Sequence, residues 1–125
     1  MTEEVDKVEE VLEKPLWRSV QAKRYMIERR EKQIKKLELE IEQLYQEVAN
    51  LRAGCKPGDL IRYKSDENKV KFVEDVDFMD FSNSLVFVRD FHYDGYIDEE
   101  LKQYPSSLIY KNYEVFCSYD SFTGF

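Results

Sequence analysis

One stripe constrains this chain more than any other feature. With Ile27 at the first position of a seven-residue repeat, Ile27, Ile34, Ile41 and Val48 fall at position a, and Leu37, Leu44 and Leu51 at position d. Arg30 interrupts the d row; Leu16 and Val20 extend both rows backwards, with Lys23 as a second polar interruption. β-Branched residues at a and leucine at d fit the holes of a parallel two-stranded coiled coil. A seam of strict a/d width is narrower than the apolar face by which a single helix usually docks on its own domain. The expected element is a helix over 15–53, roughly 38 residues and about 57 Å long at 1.5 Å per residue, pairing in parallel with a second copy through these seven residues. Continuing the a row to Cys55 places the two Cys55 residues opposite each other at the end of such a coil.

Charge is segregated along this half. Residues 1–14 read as an acidic arm or short helix, with Val5, Val8 and Leu12 at helical spacing, Thr2 as a cap and Trp17 packing on the Val5/Leu12 face. Pro15 should end that piece, since a residue before proline avoids the helical region. From 18 to 36 come eight bases against Glu28 and Glu31. A dimer would concentrate that positive field over a few turns. Arg18, Arg24, Arg29 and Arg30 are therefore candidate phosphate-binding residues.

Composition changes near Gly54: only Trp17, Tyr25 and Tyr45 of the 18 aromatic residues precede it. Residues 54–125 hold 14 Asp/Glu against 8 Lys/Arg, so the acidic excess belongs to this half. Lys56-Pro57-Gly58-Asp59 is a turn signature. Strands are expected over 60–64, 69–78 (Val70, Phe72, Val76 and Phe78 on one face, with Glu74 the exception to alternation) and 85–91, with polar turns at 65–68 and 80–84 and a tight turn at Asp94-Gly95. A helical turn or two over 97–104, ending before Pro105, and strands over 108–110 and 113–119 complete the reading. The fold class is α+β: a long dimerisation helix, then over 54–125 a small aromatic-rich antiparallel domain, a curved sheet or SH3-like barrel with one short helix.

Chemistry is sparse. The single histidine, His92, sits beside a turn with no nucleophile signature near it, so no enzyme is expected. His92, Asp94, Asp98, Glu99 and Glu100 carry metal-ligand atoms but match no metal motif, and no metal or cofactor is expected. Two cysteines imply no disulfide framework, no run is apolar enough to span a membrane, and an acidic start is no signal peptide. A cytoplasmic location is the expectation.

Tyrosines beside acids on turns supply contact area with a polar tip, which makes Tyr93, Asp94, Tyr96, Asp75 and Asp77 the candidate partner-binding residues. The leading expectation is a non-enzymatic homodimer that grips a macromolecular partner, the acids filling a basic groove. In size, acidity and lack of a catalytic motif the chain is similar, as a class, to the small inhibitors that phages make against host defence systems. The alternatives are a protein that sequesters a nucleotide or cyclic nucleotide at subunit interfaces through the basic helix block and aromatics, and a DNA binder in the manner of basic-zipper proteins. Against the last, the basic stretch lacks the asparagine that reads bases, and the attached domain is acidic.

Overall fold

The computed structural model describes the backbone from Thr2 to Phe122 and the side chains from Glu13 to Phe122. The chain runs α1 (Thr2–Ala53), β1 (Asp59–Tyr63), β2 (Asp66–Phe78), β3 (Ser84–Phe91), β4 (Lys102–Pro105), α2 (Ser106–Asn112), β5 (Tyr113–Ser118) and a closing 3₁₀ turn, Tyr119–Ser121. It divides after Ile41: α1 up to that residue is one unit, and Glu42 onward is the other.

In the first unit the helix passes through Pro15, where the sequence reading expects an arm to end. Proline removes one backbone N–H and crowds the preceding turn, yet a long helix keeps its remaining bonds on either side. The proposed Thr2 cap and the Val5, Val8 and Leu12 face lie outside the residues whose side chains are described. Every described side chain from Glu13 to Ile41 is exposed.

The second unit is an antiparallel five-stranded sheet in the order β4-β3-β2-β1-β5, with α2 and the last turns of α1 beside it; the sheet is not closed. Alternation along the strands sorts the apolar residues into two clusters. Ile61, Val73, Val76, Val86 and Val88 pack with Ala49 and Ala53 of α1, Cys55 and Ile109 of α2. Leu60, Val70 and Phe91 gather the partly buried Phe72, Ile97, Phe116 and Phe122. β1 and β2 are joined by a turn at Lys64-Ser65, tighter than the four-residue turn expected, so β2 begins at Asp66. The register of β2 against β3 shifts between Val73 and Asp75, leaving Glu74 as the extra residue of a bulge.

Two elements exchange type relative to expectation. Residues 97–104 hold no helix: Ile97 bridges Phe91, and Lys102–Pro105 pairs with β3. Residues 108–110 lie instead in α2. The exchange turns on Pro105, which at φ −60 and ψ 142 stands at the N-cap of α2 rather than beyond the end of a helix. Proline is preset for a helix start, and the next residues place Ile109 in the core and Leu108 outside it.

α1 ends at Gly54, whose φ of 70 suits the left-handed conformation that closes helices. Tyr110 packs so near that a Cβ at this position would lie 2.9 Å from its ring. Cys55 is thereby drawn into the apolar core, not onto the a row. Burial first, and the Asp59 charge second, push its thiol up to about 12.

Candidate functional site

The sheet sets where each candidate residue stands. β2 and β3 pair from Val70↔Phe91 to Phe78↔Ser84, so the two ends of this hairpin are roughly 25 Å apart at ~3.3 Å per residue. Asp75 and Asp77 lie near one end, opposite Phe87 and Leu85. Tyr93, Asp94 and Tyr96 lie past the other, in the turn after β3. The five proposed partner-binding residues thus form two groups.

The Tyr93 group is well ordered. Gly95, at φ 91, donates its N–H to the His92 carbonyl (2.9 Å), and His92 donates its own to the Tyr96 carbonyl (2.8 Å). Asp94 accepts from the Tyr96 N–H (3.0 Å), and the Tyr93 hydroxyl donates to the Glu67 carbonyl (2.6 Å). Tyr93 and Tyr96 are both exposed, the Tyr96 ring lying 5.5 Å from that of His92. At the far end Asp77 shares a hydrogen bond with Asp75; this bond first, then partial burial and the Asp75 charge, holds its carboxyl above the usual carboxylate range.

That end also carries an aromatic that sequence reasoning missed. Phe81, at the tip of the β2–β3 connection, is 96% exposed. Asp80 braces the tip by accepting from the Ser82 and Asn83 N–H groups (2.9 and 2.7 Å), which keeps its carboxyl below the ordinary range. Arg52 of α1 braces it again, donating to the carbonyls of Asp80 (2.7 Å), Asn83 (3.1 Å) and Phe81. The signal was a phenylalanine inside a polar turn, a residue with no role in closing one.

A third place is a cleft of about 440 Å³ at the Tyr93 end of the sheet, on the face shared by Lys71 and Asp90. Lys71 is the single buried base among the described residues. Its ammonium donates to Asp90 Oδ1 (2.6 Å), and Lys102 donates to Oδ2 of the same carboxylate (2.9 Å). The Lys71 bond first, with Lys102 behind it, holds Asp90 below the usual range against its partial burial. Tyr104 and Tyr113 wall the cleft, and burial raises the Tyr113 hydroxyl above its ordinary value. Lys69, one pleat further along β2, lines the cleft with its ammonium 5.5 Å from the Tyr63 ring centre. A lysine at each of two alternate strand positions that continue a core row was the available signal.

The residues expected to form a dimer seam stand as follows. In the first unit Ile27, Ile34, Leu37 and Ile41 are about half exposed; in the second, Leu44, Val48 and Leu51 are exposed too. The second unit docks its helical segment by a different stripe. Gln46 Nε2 donates to the Val76 carbonyl (2.8 Å), Tyr45 stacks on Phe78 with ring centres 4.3 Å apart, and Ala49 and Ala53 are buried. Arg29 and Arg30 line a shallow groove on α1, and Arg18 and Arg24 are exposed on the same helix.

Among the described residues no group of three or more His, Cys, Asp and Glu is placed to hold a metal ion, and no helix is long and apolar enough to cross a membrane. Compared with protein-family models, curated proteins and solved structures, the chain matches none.

Proposed function

We propose that this chain is a non-enzymatic binding protein that works as a homodimer, paired in parallel along α1, and engages a cationic macromolecular target in the manner of an inhibitor. The observation that carries the pairing is the division of labour on the helical segment of the second unit. The sheet takes Gln46, Ala49 and Ala53, and leaves Leu44, Val48 and Leu51 facing solvent. The same rows of the repeat are exposed in the first unit. Covering each large apolar side chain stabilises by about 1.5–3 kcal/mol when the burial is complete, and a second copy presents the same surface in register. The strand order, with α2 between β4 and β5, supports an SH3-like connectivity with its two edges unpaired.

Engagement of a target is supported by the acidic excess of this unit and by exposed aromatics on braced turns, Tyr93 and Tyr96 at one end and Phe81 at the other. Rigid aromatics on loops lose little freedom on binding.

The test of pairing is Ile41→Asp combined with Leu44→Asp. Sedimentation should show dimers for the wild type and monomers for the variant, with the sheet's thermal unfolding retained. A variant that stays dimeric would move the interface elsewhere and remove the basis of the proposal.

A further inference from the structure

The cleft of Lys69, Lys71, Asp90, Tyr104 and Tyr113 has no part in the pairing along α1, and its electrostatics differ from those of the acidic unit around it. We infer that it binds a 5′-mononucleotide, with the phosphate between the Lys69 and Lys71 ammonium groups and the base against the tyrosine rings. The inference stands whether or not the chain pairs.

Charge decides the ligand class. Lys69 and Lys71 line the cleft with one carboxylate, Asp90, whose two oxygens are taken by Lys71 and by Lys102, the latter from outside the lining. The lining alone balances to one positive charge, and Lys102 behind Asp90 brings the cluster to two, in a half of the chain that is otherwise acidic. A phosphate monoester near neutral pH carries about −1.5 to −2, which matches that balance where a single carboxylate would leave it half met. Lys69 and Lys71 lie on one face of β2, two residues and roughly 7 Å apart along the strand. Two long side chains from such positions can converge on one tetrahedral anion.

The walls account for the rest of the ligand. Tyr104 and Tyr113 line the space with Lys71, and Asn68, also in the lining, offers an amide donor and acceptor. A planar base stacked on an aromatic face gains beyond the area it covers. The volume, about 440 Å³, lies within the roughly 300–1,000 Å³ typical of small-molecule sites. Lys71 is held in place before any ligand arrives, because Asp90 fixes its ammonium; little ordering is left to bind against.

Titration calorimetry on the full chain at low ionic strength tests this with the four 5′-mononucleotides, adenosine and inorganic phosphate as probes. At least one mononucleotide should bind once per chain, at least about tenfold tighter than adenosine or phosphate. Lys69→Ala, at an exposed position, should weaken that binding about tenfold or more while leaving thermal unfolding in place. Arg29→Ala with Arg30→Ala should leave it unchanged. Absence of mononucleotide binding at millimolar concentration would overturn the inference. Phosphate binding as tightly as the nucleotides would overturn the nucleotide class. Loss of binding in the Arg29/Arg30 variant, with Lys69→Ala unaffected, would move the site onto α1 and overturn the assignment to the cleft.

Discussion

Two stripes on the last three turns of α1, within the same unit, invert the usual relation between size and burial. Ala49 and Ala53 are buried almost completely, whereas Leu51 between them is 77% exposed. The small residues let the helix backbone approach Val73, Val76, Val86 and Val88 closely; a leucine in either place would hold it off. Leu44, Val48 and Leu51 project from the neighbouring stripe and stay exposed. Shape complementarity with the sheet, more than hydrophobicity, selects the docked stripe, and the larger apolar surface is left for something else.

The sharpest way to break this comparison is to place one aspartate on each stripe. Ala49→Asp puts an unpaired carboxylate against the valine core and should destabilise the sheet unit by on the order of 3–5 kcal/mol, the range measured for an uncompensated buried charge. Leu51→Asp in the Ile41→Asp, Leu44→Asp background should change the same unfolding midpoint by less than about 0.5 kcal/mol, as for an ordinary surface change. Urea unfolding followed by tyrosine fluorescence reads both. Equal losses would mean that the two stripes are not distinct.

The stripe that docks was not legible in the sequence, and the reason is instructive. Periodicity reports large apolar residues, so Ile34 to Leu51 stood out, while the alanines that make the intramolecular contact carry almost no signal. The long helix, the first three strands and the two glycine turns at Gly58 and Gly95 were legible because alternation and turn chemistry are local. The bulge at Glu74 was not: Val70 and Phe72, expected on one face with Val76 and Phe78, lie in the other cluster because the extra residue switches the strand's faces. Residues 97–112 were misread because Pro105 can end a helix or begin one, and the choice rests on Ile109 reaching a core assembled from distant strands. Of the candidate site residues, the tyrosines near Asp94-Gly95 were visible as turn aromatics. The Lys71–Asp90–Lys102 cluster was not, since it forms only once β2, β3 and β4 lie side by side.

Arg52 sharpens the comparison from the side, since it neighbours exposed Leu51 in sequence yet belongs to the docked stripe. Its guanidinium lies 5.0 Å from the Phe78 ring centre and bonds to the braced Phe81 turn. Arg52→Ala should cost about 1–2 kcal/mol, less than the sum of charged hydrogen bonds because the group is partly solvated. It should also speed amide exchange at Ser82 and Asn83 while leaving Tyr93 and Tyr96 unaffected. Uniform acceleration at both ends of the β2–β3 hairpin would show that Arg52 supports the whole sheet rather than the turn.

The smallest effect lies where the docked stripe ends, in a shallow cleft that Glu42 and Tyr45 of α1 share with Asp77. Asp77 is held above the usual carboxylate range by its bond to Asp75, by partial burial and by the Asp75 charge. A folded-state pKa above the unfolded one means that the folded chain takes up this proton first. The contribution of Asp77 to stability therefore rises as pH falls through its folded-state pKa. Asp90 has the opposite sign: its pKa is depressed, so its contribution is present above the unfolded pKa and is lost as pH falls through the folded value. Asp77→Asn should raise stability at pH 7 by less than about 0.5 kcal/mol, since the group is largely solvated. The gain should shrink as the wild-type carboxyl protonates, whereas Asp90→Asn should destabilise at pH 7 and lose its effect in acid. Unfolding midpoints of the two variants at neutral and acidic pH check the signs. An Asp77→Asn chain less stable than wild type at pH 7 would mean that the Asp75–Asp77 pair supports the end of the docked stripe instead of opposing it.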